Sequence, residues 1–406
     1  MRRQTIIMAM TAEKRPKKIL IFSLVYLPRF VGGAEVAVKE ITDRINPRLF
    51  SFEMISLSPD RDLPRRDRMG RILVHRLPAQ GGLLWPMAKL LFPFRACVAA
   101  ARLHRQEPFD AVWSIMANYA GFAALFFKLM HQKVPLLLSL QEGDPLPLTE
   151  RKARFVWPLF RMIFTKADRI QAISSYLARW AGRMGARGEV VVVPNGVDVK
   201  KFRIQDSKSE IGEVRKVLGF GKSDRVVITV SRLVPKNGVG DLIKAMTFLP
   251  AEVKLVIVGD GPLLQNLQLT AYSLKLTDRV KFSGLVPPDK VPEYLAAADV
   301  FCRPSLSEGF GNAFIEAMAA GLPVVGTAVG GITDFLRDKE TGLICVPSDP
   351  EDIARKIEIL LKDREIRDYV VRNALKMVEQ MYDWSFIAER MEEKVFPDIP
   401  NHPEGR

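Results

Sequence analysis

Short apolar segments rich in β-branched residues alternate with segments of helical length along nearly all of this chain of 406 residues. This order predicts parallel sheets that are covered by helices on both faces. A chain of this length suits two domains of about 190 residues each. The predicted strands are 18–23, 52–57, 71–76, 111–115, 136–140, 169–172 and 190–193 in the first half, and 225–230, 253–258, 280–283, 300–303, 324–326 and 342–345 in the second.

A turn after the seventh predicted strand marks the boundary between the two halves. Pro194, Asn195 and Gly196 have strong turn chemistry, and the residues that follow show no regular pattern up to about residue 223. We therefore predict an α/β fold with two doubly wound parallel-sheet domains, residues 1–194 and 195–380, in which residues 1–16 are disordered. Ligands of open parallel sheets bind beyond the carboxyl ends of the strands, so two such domains would enclose a binding cleft.

The formal charge of +14 lies almost entirely in the first half of the chain. Residues 1–198 carry 31 Lys and Arg against 16 Asp and Glu, whereas residues 199–406 carry 29 against 30. This asymmetry indicates an acidic partner for one domain only, either an anionic membrane surface or nucleic acid. The aromatic residues are not spread along a strand-like platform that could stack bases. We therefore expect an anionic membrane surface as a partner, and no nucleic acid.

Two segments of the first half mix large apolar residues with basic ones. In segment 151–166, the apolar residues at 155, 156, 159, 160 and 163 recur at helical spacing, and segment 83–95 has a similar composition. A helix with a Trp or Phe face and a Lys/Arg rim is typical of a membrane interface, although a core-facing helix with solvated charges fits the same pattern. The predicted membrane contacts are Arg151, Lys152, Arg154, Trp157 and Trp85.

Cysteines and histidines indicate neither a disulfide framework nor a metal site. Cys97, Cys302 and Cys345 are odd in number and widely spaced, which favours a reducing compartment. The four histidines have no spacing typical of metal ligands. We therefore expect no metal.

The apolar segments do not predict a signal peptide or a spanning helix. The basic segment 1–18 has no apolar stretch of signal-peptide length. The most apolar window, 111–130, divides into a strand at 111–115 and a helix at 119–130. We therefore expect no helix that crosses a membrane.

The segment from Glu308 to Glu316 places two carboxylates across a glycine loop that runs into a helix. Residues 313–320 are alanine-rich and helical in pattern, so Glu308 lies in the turn and Glu316 about one helical turn in. The first amides of a helix have no internal partner and carry partial positive charge, so they can bind a phosphate. The flanking carboxylates can accept hydrogen bonds from sugar or ribose hydroxyls. A solvated helix could carry the same two glutamates.

Other glycine and basic residues also follow predicted strands. Gly32 and Gly33 precede an amphipathic helix, where small residues let a main-chain amide approach a phosphate. Arg232 and Lys236 lie four residues apart at a strand end and suit a pyrophosphate, Arg by its fork geometry and Lys as a point charge. Gly259 lies in a tight turn between a strand and a helix. Each of these loops could instead be structural or solvated.

Six short motifs follow one another after Ser305: EGFG from 308, EAMA from 316, GLPVV from 321, GG from 330, ETGL from 340 and DP from 349. In this order they resemble the second domain of the group 1, or family four, glycosyl transferases, retaining enzymes of the two-Rossmann GT-B fold that move sugars from nucleotide donors. The resemblance runs from Gly32 to segment 382–389, which is similar to the closing helices of the family. It implies that residues 381–406 form a closing helix, packed back toward the first domain, and a tail.

The resemblance implies a role for each of several residues. Arg232 and Lys236 would hold the donor pyrophosphate and stabilise it as the leaving group, Glu308 would hold the transferred sugar, and Glu316 the ribose hydroxyls. Such preorganised cations stabilise the transition state more than the ground state, so no metal and no cofactor is expected beside the nucleotide-diphosphate sugar. Further donor-binding residues would be Gly33, Gly259, Val286, Phe310, Gly311, Asn312 and Ala313.

This chain departs from the family pattern after the fifth predicted strand. Many relatives place a histidine there, whereas this chain reads Gln141, Glu142, Gly143 and Asp144. Glutamine cannot take a proton, so Gln141 could only hydrogen-bond to the sugar, and any proton transfer would pass to Glu142 or Asp144. These three residues are candidate sugar or acceptor contacts, and the two carboxylates could also be ordinary loop residues.

We therefore expect a retaining, metal-independent glycosyltransferase of the hexosyltransferase type, peripheral on the cytoplasmic face of the cell membrane. Its basic first domain would bind a lipid-linked or saccharide acceptor for a cell-envelope polysaccharide. Two alternatives stay open, a nucleotide-sugar epimerase of the same fold and a non-catalytic nucleotide-sugar-binding partner subunit. An epimerase would act on the donor alone. The intact pair of Arg232 and Lys236 argues against a subunit that only binds.

Overall fold

A computed structural model of the protein describes residues 15–29, 32–60, 62–79, 81–203, 208–221 and 223–396. The predicted disorder of residues 1–16 falls mainly on residues 1–14, which lie outside the described residues. Within the described ranges the chain forms two β-sheets, and each sheet is covered by helices.

The first sheet has the order β3-β4-β2-β1-β5-β6-β7-β8 in the described part of the chain. Seven of its strands lie within two residues of the predicted bounds, and they pair in parallel. The strands are β1 (Lys17–Phe22), β2 (Phe50–Ser58), β3 (Arg66–Met69), β4 (Ile72–Pro78), β5 (Ala111–Ile115), β6 (Leu136–Leu140), β7 (Arg169–Ala172) and β8 (Glu189–Val192).

The prediction of wholly parallel sheets is wrong at the β3 edge. β3 pairs antiparallel with β4, from Arg66 opposite His75 to Met69 opposite Ile72. Its sequence is polar, because an edge strand that buries little needs no apolar alternation. The pattern used to find strands therefore passes over it.

The second sheet is parallel throughout the described residues, in the order β11-β10-β9-β12-β13-β14. The chain moves outward from β9 to β11 and then returns to the other side of β9. A ligand crevice is expected outside the carboxyl ends of the two strands where this order reverses, β9 and β12. The strands are β9 (Arg225–Val230), β10 (Val253–Val258), β11 (Val280–Gly284), β12 (Val300–Arg303), β13 (Val324–Thr327) and β14 (Leu343–Cys345).

Helices connect the strands and cover both sheets. The described α-helices are α1 (Gly33–Arg44), α2 (Trp85–Gln106), α3 (Tyr119–Met130), α4 (Leu146–Lys152), α5 (Trp157–Thr165), α6 (Ser175–Arg183), α7 (Val199–Phe202), α8 (Lys208–Val217), α9 (Val239–Ala245), α10 (Leu264–Ser273), α11 (Val291–Ala296), α12 (Asn312–Ala319), α13 (Pro350–Lys362), α14 (Arg364–Met381) and α15 (Trp384–Lys394). The doubly wound α/β fold predicted for both halves is thereby confirmed.

The two halves share buried contacts beside the chain crossings. One hydrophobic cluster joins Leu177 of α6 to Phe310 and Ile332 of the second half. Val197 forms an isolated parallel bridge with Asp383, so the chain crosses between the halves twice, side by side. Helix α15 then packs against α1 and the first sheet in one hydrophobic cluster. The domain bounds at 194 and 380 stay predictions.

Segment 151–166 does not form the single interfacial helix that its spacing predicts. α4 ends at Lys152, a 3-10 helix covers Arg154–Val156, and α5 begins at Trp157. Pro158 explains the restart, because proline lacks an N–H donor and is favoured in the first turn of a helix. Consequently Phe160 faces the core, whereas Phe155 is 83% exposed.

One helix of the described residues is long and apolar enough to cross a membrane, judged by length and composition alone. It runs from Gly82 to Gln106, whereas no such helix was predicted from the sequence. One face of it is buried in the core of the first half, including Phe92 and Ala96, while Leu83 and Phe94 are exposed. A helix in the core of a soluble protein can have the same length and composition, so these two properties alone do not indicate a membrane span.

Candidate functional site

Helix α12 begins beyond the carboxyl end of β12, at the predicted crevice. Gly311 precedes it with φ 107°, a left-handed conformation that favours glycine. No side chain caps this helix start. Phe310 contributes mainly to the core, because its ring packs on Phe335 and Tyr382. The amides of Asn312 and Ala313 are therefore the groups placed to receive an anion.

The carboxylate of Glu308 is fixed by an arginine that the sequence analysis missed. Arg303 is the last residue of β12, and its Nη2 donates to Oε2 of Glu308 at 2.6 Å. The amide of Gly309 donates to Oε1 of Glu308 at 3.2 Å. A charged residue at the end of a buried strand, next to Pro304, is the sequence signal that could have identified Arg303.

Glu316 lies one helical turn into α12, as predicted, and it is partly exposed. Within the described part of the chain its carboxylate accepts no hydrogen bond. Burial raises the pKa of Glu316 to about 7, although the positive charges of Arg303 and Lys201 act in the opposite direction. Because no described residue donates a hydrogen bond to them, the carboxyl oxygens of Glu316 are available to a ligand that does.

The two predicted pyrophosphate cations differ in their surroundings. Arg232 is exposed just after β9, and among the described residues its side chain has no partner. Its carbonyl oxygen accepts a hydrogen bond from Nδ2 of Asn237 at 2.6 Å, which holds the loop. Lys236 reaches the first half, where its Nζ donates to the carbonyl oxygen of Gly143 at 2.5 Å and lies 3.6 Å from Oδ1 of Asp144.

Glycines let loops of the two halves come into close contact. A Cβ atom on Gly309 would lie 2.0 Å from the carbonyl oxygen of Glu142. A Cβ on Gly143 would lie 2.8 Å from Nζ of Lys236 and 3.6 Å from Oε1 of Glu308. One on Gly33 would lie 3.0 Å from Nδ2 of Asn312. The structure therefore brings together Gly33, Asn312, Lys236 and Glu308, which are far apart in sequence.

Gln141 and Glu142, at the position where relatives have a histidine, form hydrogen bonds within the protein. The side-chain amide of Gln141 exchanges two hydrogen bonds with Asn195, at 3.0 and 2.9 Å, and Asn195 donates to Asn312 at 3.2 Å. Glu142 is buried and accepts a hydrogen bond from the amide of Ala117 at 2.6 Å. Burial raises the pKa of Glu142 to about 7. The side chain of Asp144, in contrast to that of Glu142, is exposed.

Gly259 and Val286 lie at the same edge of the second sheet. Gly259 has φ 134°, and a Cβ there would lie 1.9 Å from the carbonyl oxygen of Ser231. Glycine at this position therefore allows the chain to pass close to the loop that carries Arg232. Val286 follows β11 and is partly buried. Among the described residues, no group of three His, Cys, Asp or Glu side chains could hold a metal ion.

The predicted membrane contacts differ in how far their side chains are exposed. Arg151, Lys152 and Arg154 are exposed, whereas Trp85 and Trp157 are partly buried against the core. The more exposed apolar side chains nearby are Leu83, Leu84, Met87, Leu90, Leu91, Phe94, Val98, Phe155 and Val156.

Family models match both halves of the chain, one described as a Glycosyl transferase 4-like domain over residues 32–196 and one as Glycosyl transferases group 1 over residues 210–377. A D-inositol 3-phosphate glycosyltransferase of Acidothermus cellulolyticus is 31% identical over 375 residues, which are 85% of this chain and 81% of that protein. The chain belongs to the group 1 glycosyl transferases.

This group 1 glycosyl transferase matches other relatives over shorter spans. An uncharacterized glycosyltransferase of Methanocaldococcus jannaschii is 34% identical over 50% of this chain and 52% of that protein. A GDP-mannose-dependent alpha-(1-6)-phosphatidylinositol monomannoside mannosyltransferase of Mycobacterium tuberculosis is 32% identical over 57% of this chain and 63% of that protein. The chain thus spans less than two thirds of the length of these two relatives.

Solved structures share the fold of this group 1 glycosyl transferase. HepE of Anabaena, solved with UDP and glucose, has a TM-score of 0.77 at 24% identity and covers 93% of this chain and 99% of that chain. Sucrose-phosphate synthase of Thermosynechococcus elongatus has a TM-score of 0.79 at 21% identity, with coverage of 93% and 98%. The GT-B fold expected from the resemblance is therefore confirmed.

Proposed function

We propose that the protein transfers a sugar from a nucleotide-diphosphate donor to an acceptor, with retention at the anomeric carbon and without a metal ion. The observation that carries this proposal is the pair of carboxylates around the uncapped start of α12: Arg303 holds Glu308 in place, and no described residue donates a hydrogen bond to the Glu316 carboxylate. Ribose and sugar hydroxyls would donate to these carboxylates. The diphosphate would bind the amides of Asn312 and Ala313 and the exposed guanidinium of Arg232.

In the proposed reaction the bond between the anomeric carbon and the β-phosphate oxygen breaks, and a bond to the acceptor hydroxyl oxygen forms. The acceptor proton passes to the departing phosphate oxygen, so the step needs no protein base. Arg232 and Lys236 would stabilise the charge that develops on the diphosphate. Lys236 would exchange the carbonyl oxygen of Gly143 for a phosphate oxygen, which is a stronger, charge-assisted partner.

We expect donor affinity to depend on the ionisation of Glu316. Because burial raises the pKa of Glu316 to about 7, a ligand that donates to the carboxylate should bind more tightly as the pH rises through 7. Between pH 6 and pH 8 this effect amounts to at most about tenfold. Calorimetric titration with nucleoside diphosphates at both pH values measures it.

The diphosphate itself gains charge in the same pH range, so Glu316→Gln provides the control. The glutamine variant should bind more weakly at pH 8 and should retain only the pH dependence that the ligand contributes. Equal affinities of wild type and Glu316→Gln at pH 8 would remove Glu316 from the donor site.

The acceptor side is proposed to lie at an anionic membrane surface on the cytoplasmic face. Helix α3 packs between α2 and α5, through ring contacts of Phe94 with Phe126 at 5.3 Å and of Phe122 with Phe160 at 6.4 Å. The exposed apolar residues of α2 therefore lie on the same side of the first sheet as Phe155 and the basic residues near it. The mycobacterial relative acts on a phosphatidylinositol mannoside, which supports a lipid-linked acceptor.

We expect the protein to float with liposomes that contain about 30% anionic lipid. High salt should release it, because added salt further screens an attraction between surface charges that extends only about 8 Å at physiological ionic strength. Reversal of Arg151, Lys152 and Arg154 to glutamate should abolish flotation. Reversal of Arg364, an exposed arginine of the second half, should not. Flotation that ignores lipid charge and salt would contradict the electrostatic part of the proposal.

The proposed function is tested by incubating the protein with a panel of nucleotide sugars and membrane lipid extract, followed by mass spectrometry. Release of nucleoside diphosphate together with a glycosylated lipid supports transfer. Interconversion of the donor without lipid would instead indicate an epimerase. Binding of a donor without any turnover would favour a non-catalytic partner subunit.

A further inference from the structure

We propose that Arg303 is a positioning residue of the donor site: its guanidinium fixes the side chain of Glu308 and places a buried positive charge beside it. This inference rests on the proposed function, because it assigns a task to Arg303 only if the two carboxylates bind a nucleotide sugar. Neither the family motifs nor the relatives' names point to this residue.

The contacts of Arg303 hold its guanidinium in one orientation. The residue is 6% exposed, and its Nη2 donates to Oε2 of Glu308 at 2.6 Å. Its Nη1 lies 3.4 Å from the carbonyl oxygen of Val230, and the guanidinium lies 4.8 Å from the ring centre of Phe314. Because Val230 ends β9 and Phe314 lies in α12, Arg303 is packed against both elements that border the crevice.

Glu308 has little freedom to choose another orientation. Arg303 takes one carboxyl oxygen, and the amide of Gly309 takes the other. Among the described residues the buried Nε atom of Arg303 has no hydrogen-bond partner, so the contacts with Glu308, Val230 and Phe314 hold this side chain.

The positive charge of Arg303 also acts on Glu316, at longer range. The positive charges of Arg303 in β12 and Lys201 in α7 both oppose the effect of burial on the pKa of Glu316. The groups that face Glu308 are Arg303 and, across Gly143, Lys236. Lys236 is bound to the first half, which leaves Arg303 as the cation that contacts Glu308 among the described residues.

A change in pH separates this role from a general structural one. Without the guanidinium, Glu316 loses a stabilising charge, so it should ionise only at higher pH. A ligand that donates hydrogen bonds to carboxylates should then bind poorly at pH 7 and better at pH 9. A variant that is merely misfolded or loosely packed gives no such recovery.

The test is calorimetric titration of UDP-glucose and GDP-mannose into the full chain at pH 7 and pH 9. For the sugar nucleotide that the wild type binds, Arg303→Met should bind at least tenfold more weakly at pH 7 and within about threefold of wild type at pH 9. Arg303→Lys keeps the charge, so it should bind within about threefold of wild type at pH 7 while its kcat falls about tenfold from the looser geometry of Glu308.

A double variant checks that Arg303 acts through Glu308. Once Glu308→Gln has removed the carboxylate, adding Arg303→Met should cost far less in kcat/KM than Arg303→Met costs alone. Additive losses would overturn the inference. So would a Met variant that binds equally weakly at both pH values, or a Lys variant that loses affinity at pH 7 as the Met variant does. If Arg303→Met does not fold, the Lys variant alone decides.

Failure of the proposed function gives a different result. A wild-type protein that binds neither sugar nucleotide nor any nucleoside diphosphate at either pH overturns the proposed function, and this inference with it. A wild type that binds, with variants that show no recovery at pH 9, overturns only the inference.

Discussion

Replacement of Arg232 by alanine is expected to slow sugar transfer by about 10² or more, equivalent to a few kcal/mol of lost leaving-group stabilisation. Arg232 is an exposed cation after β9 whose side chain contacts no partner among the described residues, whereas Lys236 already contacts Gly143. The loss should fall mainly on kcat, because charge on the diphosphate grows as the sugar departs. Steady-state release of nucleoside diphosphate measures it.

Arg364→Ala is the matched control for Arg232→Ala. Arg364 is a highly exposed arginine of the second half whose ion pair with Asp368 lies within one turn of α14. Its removal should leave transfer unchanged, because exposed ion pairs of this kind contribute little. Near-normal turnover in Arg232→Ala would exclude the proposed role of Arg232.

The second large effect is expected for Gly309→Ala. A Cβ at this position would lie 2.0 Å from the carbonyl oxygen of Glu142, which is main chain and cannot simply rotate away. The loop that carries Glu308 must then move away from the first half. A displacement of about 1 Å in a catalytic site can reduce the rate by about 10², so we expect a loss of at least that size in kcat/KM.

Gly240→Ala controls for the substitution itself. Gly240 lies inside α9, and a Cβ there would meet Cδ2 of Leu267 at 3.7 Å, an ordinary contact. Alanine is also a better helix former than glycine, so this variant should keep both activity and thermal stability. Full activity of Gly309→Ala would show that the close contact between the two loops is not needed for transfer.

The strands, the helix start and the order of the loops could be predicted from sequence because they depend on local patterns. The strand prediction 300–303 matches β12, and the alanine-rich run after Glu308 forms α12. β3 and the break before Trp157 were not predicted, since an edge strand has no apolar alternation and a proline can restart a helix without changing the apolar spacing.

The contacts within the site could not be predicted, because they join residues that are distant in sequence. The hydrogen bonds from Gln141 through Asn195 to Asn312 link a first-half loop, the crossing segment and α12. The reach of Lys236 to Gly143 likewise depends on how the two halves pack. The roles of Arg232, Lys236, Glu308 and Glu316 in donor binding stay predictions.

The most direct test of the account is thermal stabilisation of the purified protein by uridine, guanosine and adenosine diphosphates and their sugars, without and with a divalent metal. A ligand that binds the native state raises the apparent stability by about 2.7 kcal/mol at one hundred times its Kd. We predict that one base stands out, that metal adds nothing, and that Glu316→Ala weakens the effect. The absence of stabilisation by any member of the panel would contradict the proposal that this cleft binds a nucleotide sugar.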